Sequence, residues 1–561
     1  MTEQNVTHET TVREQGWKRE LLWLAPALLS GIVLFLVYLR SHPYPSFGAG
    51  LYLLIAERIS ELGYALPETI PYYTEGGVPF AYPPLMFYAV AVIRDLTGLD
   101  PIAISRFLPG VVALAYLVPL YLFARDLFDS RPQAALTSLL VAVSPPILQW
   151  HISAGGIVRA PAFLFSLSGI YAGLRLYKDR DQRWVVPSLA LFTLTVLTHP
   201  VYTVFFALSY FLLFVQFDRS LWGLLRGAVV GFGGILLAAP WWTQVMATHG
   251  IDVFTGAAGT HGGIGGGIPS LSALMQLDLQ NVFLGSLLSV LPLVGAVYLL
   301  KERRFFLPVW FAAVTVVVGK ARFSMLAGSF ITAVFLLEVL GVRLKEQSRF
   351  AVGRREVVTA ALVLIAGVGV AGGAMYTTGD VNAHAGSPSL PQFIDHDDVE
   401  AMEWAERNTK SSATFVVQGD AAEWFPQQTH RTMLVGPWGV EWKGHEPYTR
   451  QLGLFRGVSS CNSAQCMSHT LSKEGVQPDY VYLPKGYFTV RGMQYQRTSR
   501  LAMSMHLSPT YRTVFENDGV IVFEVLGNQN GESGQNGAKN SGSGQNDAEK
   551  SGSESSGSSN S

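Results

Sequence analysis

Charge is scarce in this sequence. Only 14% of its 561 residues are Asp, Glu, Lys or Arg, against about a quarter in an average soluble protein, while 49% are hydrophobic. This excludes an ordinary soluble domain and points to the membrane class. Neither sign of charge dominates: 40 Lys and Arg meet 41 Asp and Glu, a net charge of −1, so the basic stripe of a nucleic-acid-binding protein is missing. Cysteine is almost absent. Cys461 and Cys466 are the two present, which excludes a cysteine-rich metal site and leaves either two free thiols or one short disulfide. A cleavage site of small residues is also lacking after the first apolar run, Leu21 to Tyr38, so that run reads as a retained anchor. The glycine cluster at 259–267, which holds His261, lacks the Gly-Lys-Ser/Thr ending of a phosphate-binding loop. It reads instead as a mobile lid. Apolar residues nearly vanish from 527–561, which cannot bury enough surface to repay chain entropy and is expected to be disordered.

What is abundant is apolar runs. They suggest eleven spans, near 21–40, 103–124, 133–150, 160–177, 184–199, 201–216, 222–241, 281–300, 305–319, 323–342 and 356–376. With a cytoplasmic N-terminal segment (1–20), the loops at 125–131, 178–183, 218–219, 301–304 and 343–355 share the cytoplasmic side. Each carries Lys or Arg, as the positive-inside rule requires. The opposite side collects a long first loop (41–106), a short loop around His151 to Arg159, His199-Pro200, the Gly-rich loop from Trp241 to Gln280, and Lys320 with Arg322. Cations on that side break the rule, which is either headgroup snorkelling or function. The first loop is expected to hold two surface helices, 51–63 and 84–96. Parity places 377–526 outside, where helical (398–408) and β-rich (413–418, 479–483, 520–525) patterns indicate an α/β or α+β domain. There thiols oxidise, so Cys461 and Cys466 are expected to pair.

An ordered series of short motifs runs through this frame: Pro-Phe-Ala-Tyr-Pro-Pro-Leu (79–85), Gly-Gly-Ile-Val-Arg-Ala (155–160), Leu-Thr-His-Pro (197–200), Ala-Pro-Trp-Trp (239–242), Thr-His-Gly (248–250), Glu-Trp-Phe-Pro (423–426) and Gly-Val-Glu-Trp (439–442). Together with the single span, long outer loop and terminal outer domain, they resemble the GT-C membrane glycosyltransferases, which include oligosaccharyltransferase catalytic subunits and protein mannosyltransferases. The resemblance covers about 20–525. It implies an α-helical polytopic protein with a GT-C-like membrane unit (21–376) and an extracellular mixed α/β domain (377–526) in the plasma membrane. It further implies transfer of a sugar from a polyprenyl-phosphate donor to a glycan or protein acceptor on the outer face.

In such enzymes the acceptor displaces a lipid phosphate at the anomeric carbon. A first-loop carboxylate takes the proton where the acceptor is a hydroxyl, and cations, sometimes with a divalent metal, hold the leaving phosphate. The acid is expected at the start of the first loop helix, but 44–50 reads Tyr-Pro-Ser-Phe-Gly-Ala-Gly. The second acidic loop is replaced by 155–161, so a divalent metal, which the resemblance leaves open, lacks its usual pair of acidic loops here, and no cofactor is certain. The WWDYG-like acceptor motif of N-oligosaccharyltransferases is also missing. Glu75 and Glu57 are the substitute base candidates, with a solvated helix face as the other reading of Glu57 and Glu61. Arg159, after two glycines at a helix start, is the expected phosphate contact, joined by Lys320, Arg322, His199, His249 and Tyr82. His199 reads equally as a helix-end histidine. The missing acid leaves a second reading, a non-catalytic GT-C-fold protein that binds lipid-linked sugars or assists envelope glycan assembly. A transporter would call for paired interrupted helices in two repeats, and none is evident.

Overall fold

The computed structural model describes residues 2–258, 260, 285–340, 354–378, 390–492 and 494–526. The glycine cluster around His261, most of the basic segment 343–355 and the tail 527–561 lie outside the described residues.

Among the described residues, five helices are long and apolar enough to cross a membrane: Gly16–Ser41, Pro101–Phe128, Gly156–Lys178, Pro200–Phe217 and Ala321–Val339. A sixth span results if Leu221–Leu237 and Ala239–His249, bent by 52° at a proline-led break, count as one. Val290–Lys301, Phe306–Val318 and Leu362–Thr378 are shorter apolar helices. Every expected run falls at least partly on a helix, but several fall short of a span. The run at 133–150 divides into Arg131–Ala142 and Pro145–His151, because proline cannot donate into the preceding turn. Val185–Val196 is 12 residues long, a rise of about 18 Å. That is little over half of a hydrocarbon core of about 30 Å. The lipid-facing character of the bundle is plainest on Leu221–Leu237, where Trp222, Phe232 and Leu236 are exposed.

Two ends of the bundle differ. At one, Glu20 pairs with Arg131 (2.7 Å) and Arg125 (3.6 Å), Lys178 with Asp129 (2.9 Å), and Arg304 with Glu338 (2.7 Å). Gln133 also donates to Glu338 (3.0 Å), so the charged ends of non-neighbouring helices meet there. At the other end sits the first loop. It contains the helices Gly50–Glu61 and Leu85–Thr97, close to the expected pair, and a hairpin of β1 (Thr69–Ile70) and β2 (Val78–Pro79). Gly98 ends the second helix in the left-handed region (φ 67°).

The C-terminal part is a mixed α/β unit. β3 (Thr414–Val417), β4 (Thr432–Met433), β5 (Tyr480–Pro484), β8 (Tyr511–Glu516) and β9 (Val520–Val525) form one sheet in the order β4-β3-β5-β9-β8, parallel between β4, β3 and β5 and antiparallel beyond. β6 (Tyr487–Val490) and β7 (Gln494–Arg497) make a separate hairpin. The helix His396–Asn408 starts on a capping box between Asp395 and Asp398. Cys461 and Cys466 form a disulfide, with Cα atoms 5.5 Å apart.

The first loop and this unit share a core. Leu54, Ile55, Tyr73 and Phe87 of the loop are buried in one apolar cluster with Phe415, Trp424, Met433 and Trp442, while the bundle packs its own cluster. The loop also adds itself to the sheet. Thr74 N donates to Met433 O and Met433 N to Tyr72 O, each 2.9 Å, which covers the edge of β4.

Candidate functional site

Three segments are stitched together where the loop meets the bundle. Ala154 N donates to Ser46 O (2.9 Å), bringing the Gly155-Gly156 turn against the start of the loop. Leu85 N donates to Leu197 O (2.9 Å), bringing the second loop helix against His199. Between them, Phe47 stacks on Trp150 at 5.3 Å.

Trp150 carries two guanidinium groups. That of Arg159 lies 4.8 Å from its ring centre and that of Arg322 lies 5.9 Å away. Gly155 makes the first approach possible, since a Cβ there would stand 1.9 Å from Nη1 of Arg159. Arg322 begins the helix Ala321–Phe335 after a left-handed turn at Gly319 (φ 66°), and its guanidinium also lies over Tyr202 (5.2 Å) and Phe323 (5.0 Å). Arg322 is 6% exposed and its Nε has no hydrogen-bond partner among the described residues. Neither guanidinium forms an ion pair with a carboxylate among the described residues, and the charge that Arg159 feels comes from Glu423 at longer range. Two such cations are costly to bury unless an anion joins them. Lys320 occupies the N-cap position beside Arg322 and is in its electrostatic field.

His199 caps the helix Pro200–Phe217 through Nδ1, which accepts from Val201 N (3.2 Å), so the helix-end role holds. Its ring nevertheless lies within the field of Arg159, Arg322 and Lys320, edge-on to Tyr202 (5.0 Å) and Tyr82 (5.9 Å). Tyr82 in turn meets Tyr52 (5.4 Å) and Trp442 (6.3 Å), linking loop, bundle and C-terminal unit. His151 is fully buried, with Nε2 2.6 Å from the Tyr202 hydroxyl. His249 is elsewhere engaged: its Nε2 donates to Glu68 O (2.9 Å), fastening the bent helix to the loop.

The two acids expected to serve as base are placed differently from the cations. Glu75 is exposed at the β1–β2 turn. Glu57 is bound to Arg94 (3.3 Å) and to His430 of the C-terminal unit (3.4 Å). Burial raises its carboxyl, but His430 and Arg94 outweigh that and hold it below the ordinary range. The structure brings a different carboxylate to the loop start. Glu423, in the Glu-Trp-Phe-Pro motif, is half-buried and shares its field with Arg159, Arg491 and Glu441, with the Trp438 side chain in hydrogen-bonding reach. Burial pushes its carboxyl up to about 7, against the lowering pull of Arg491 and Arg159. Nothing in the spacing of the chain could pair residue 423 with the loop start at 44–50; only the motif itself marked it. Groups of three or more His, Cys, Asp or Glu able to hold a metal ion do not occur among the described residues.

Comparison with known proteins agrees with this architecture. Residues 81–243 match the family model of dolichyl-phosphate-mannose-protein mannosyltransferases. No curated protein matches the chain by sequence. Among solved structures, the chain is similar to the archaeal oligosaccharyltransferase AglB from Archaeoglobus fulgidus in complex with an inhibitory peptide and a dolichol-phosphate (14% identity, TM-score 0.53, 83% of this chain and 70% of that one). It is similar to the arabinofuranosyltransferase AftD from Mycobacteria (13%, 0.52, 91% and 40%) and to apo ArnT from Cupriavidus metallidurans (14%, 0.51, 91% and 98%). At these identities the likeness is one of fold: the chain has the GT-C fold and is a multi-pass membrane protein.

Proposed function

We propose that this chain is a membrane glycosyltransferase that moves a sugar from a polyprenyl-phosphate donor to an acceptor at the end of the bundle covered by the first loop. The observation that carries this reading is the pair of guanidiniums on Trp150 without a carboxylate counterion among the described residues. A lipid phosphate is the anion that reaches such a place from within the bilayer, and guanidinium groups suit its oxygens in bidentate geometry. A similar structure supports the substrate class: AglB was solved with a dolichol-phosphate and an inhibitory peptide.

In this reading Arg159 and Arg322, with Lys320 at the rim, hold the phosphate and stabilise the charge that grows on it as the glycosidic bond breaks. Tyr82, Tyr52 and Trp442 lie beside these cations where loop, bundle and C-terminal unit meet and offer hydroxyl and ring faces to a sugar. His199 keeps its ring near the phosphate while capping its helix. The bundle (21–376) stands in the plasma membrane with the N-terminus cytoplasmic, and the 377–526 domain lies outside, covering the site and presenting the acceptor. The charged end held together by Glu20, Arg125 and Arg131 is then the cytoplasmic one, consistent with the positive-inside rule.

The test is transfer of radiolabelled sugar from a panel of polyprenyl-phosphate sugars by the purified protein in lipid. Wild type should transfer from at least one donor, and Arg159→Ala should lower the rate by about 10²–10³-fold, the usual cost of one positioned charge-stabilising donor. Donor binding without transfer by wild type would favour a non-catalytic lipid-linked-sugar binder instead.

A further inference from the structure

Position 48 lies in the segment 44–50, at the start of the loop, where no acid is present, and a glycine occupies it. A Cβ built on Gly48 would stand 2.0 Å from Cδ and 2.1 Å from Oε2 of Glu423, so the carboxylate of Glu423 fills the space that a side chain at 48 would take. Gly50 is as tightly approached, with a Cβ there 2.1 Å from Glu423 O. Two further bonds fix this register. The Tyr73 hydroxyl donates to Glu423 O (2.6 Å), and Trp424 Nε1 donates to Phe47 O (3.3 Å). From Phe47 the path to the cations is short: Phe47 stacks on Trp150, and Trp150 carries Arg159 and Arg322.

We infer that Glu423, delivered from the C-terminal unit through the gap left by Gly48, is the catalytic base of the transfer reaction. This rests on the glycosyltransferase reading and applies to a hydroxyl acceptor. As the acceptor oxygen bonds to the anomeric carbon, the carbon–oxygen bond to the phosphate breaks and its electron pair stays on the lipid phosphate, facing Arg159 and Arg322. The acceptor proton passes to the Glu423 carboxylate, which releases it to water after the product leaves. No oxidant or metal is consumed. A carboxyl poised near neutral pH suits this work, since it is both available as carboxylate and basic enough to take a proton. Burial sets that poise, and the groups facing it are Arg491, Arg159, Glu441, Asp420, Tyr52 and Tyr73.

The arrangement makes the C-terminal unit part of the catalytic centre rather than a separate acceptor platform. Glu75 and Glu57 are then dispensable for the chemical step.

Glu423→Gln and Glu423→Asp in the full-length protein in lipid, assayed for kcat with a hydroxyl acceptor and for donor affinity, test this. The expected result is a kcat loss of about 10²–10⁴-fold in Glu423→Gln, partial recovery in Glu423→Asp, and donor affinity within about threefold of wild type. The wild-type rate should rise with pH through about 7, and the residual rate of Glu423→Gln should lose that rise. Transfer by Glu423→Gln at close to the wild-type rate overturns the inference while leaving the glycosyltransferase reading intact. Loss of donor binding along with transfer in Glu423→Gln also overturns it, because the residue would then be a structural support. Absence of transfer by wild type from every donor removes the reading and this inference with it.

Discussion

Glycine at 48 and glycine at 50 look alike in the sequence, yet they face different atoms of the same residue. A methyl at 48 meets the mobile end of the Glu423 side chain, whereas a methyl at 50 meets its backbone oxygen and the Trp424 Cα, which stand 2.1 Å and 2.8 Å away. Gly48→Ala should therefore turn the carboxylate aside and lower kcat at least about tenfold, at a stability cost of only about 1 kcal/mol. Gly50→Ala cannot be relieved by a rotamer change and should cost about 2–3 kcal/mol, read as a lower thermal midpoint of the solubilised protein. Equal stability losses in the two variants would contradict this packing. Of the candidate site residues, Arg159, Arg322, Lys320 and Tyr82 were singled out in the sequence because polar groups at the ends of apolar runs stand out against their surroundings, and the structure brings them near one another. Glu423 was legible only as part of a motif. Its partner at the loop is more than three hundred positions away, and pairing at that separation is set by the tertiary fold.

The next scale is the clamp between the first loop helix Gly50–Glu61 and the C-terminal unit, where Glu57 meets His430. The Glu57 carboxylate beside it raises the pKa of His430 above its usual value, burial opposing, while His430 and Arg94 hold Glu57 below its own despite burial. For Glu57 the depressed pKa contributes stability above about 4.5, lost as pH falls through its folded value. For His430 the raised pKa contributes stability fully present below about 6.5, lost as pH rises through its folded value. The pair is thus strongest between about pH 4.5 and 6.5. With His430 more than a third exposed and screened by water, its loss should cost about 1 kcal/mol or less. Thermal melts of His430→Ala against wild type should separate near pH 5.5 and converge toward pH 9; a constant difference across that range would argue that the ring packing on Tyr72, not charge, holds the clamp. Elements with strong local signals were readable: both loop helices, the helix expected at 398–408, which starts at His396, and β3, β5 and β9, whose short β-branched and aromatic runs are buried nearly throughout. The two-residue β4, which takes its form from the sheet and the loop paired on it, and the helix His445–Ser459, which carries Pro447, Gly453 and Gly457 and packs on Ala464–Lys473, lack such a pattern.

For the molecule as a whole, composition dictates the membrane, while the distribution of charge distinguishes its two ends. Among the described residues each apolar run falls at least partly on a helix, but hydropathy does not tell a full span from a short, proline-broken helix inside a bundle. That is why 133–150 and 184–199 read as spans and fold as shorter pieces. The loop and the C-terminal unit share one apolar core, which brings a carboxylate from the domain into the field of a cation from the bundle beside one aromatic cluster.

The measurement that bears most directly on this arrangement is equilibrium binding of polyprenyl monophosphate to the full-length protein in nanodiscs, wild type against Arg159→Ala/Arg322→Ala. Each guanidinium lost should remove about 1.5–3 kcal/mol of charge-assisted bonding, so the double variant should bind at least about 100-fold more weakly. Equal affinity in the two proteins, with both folded, would contradict the assignment of this cation pair to a lipid phosphate.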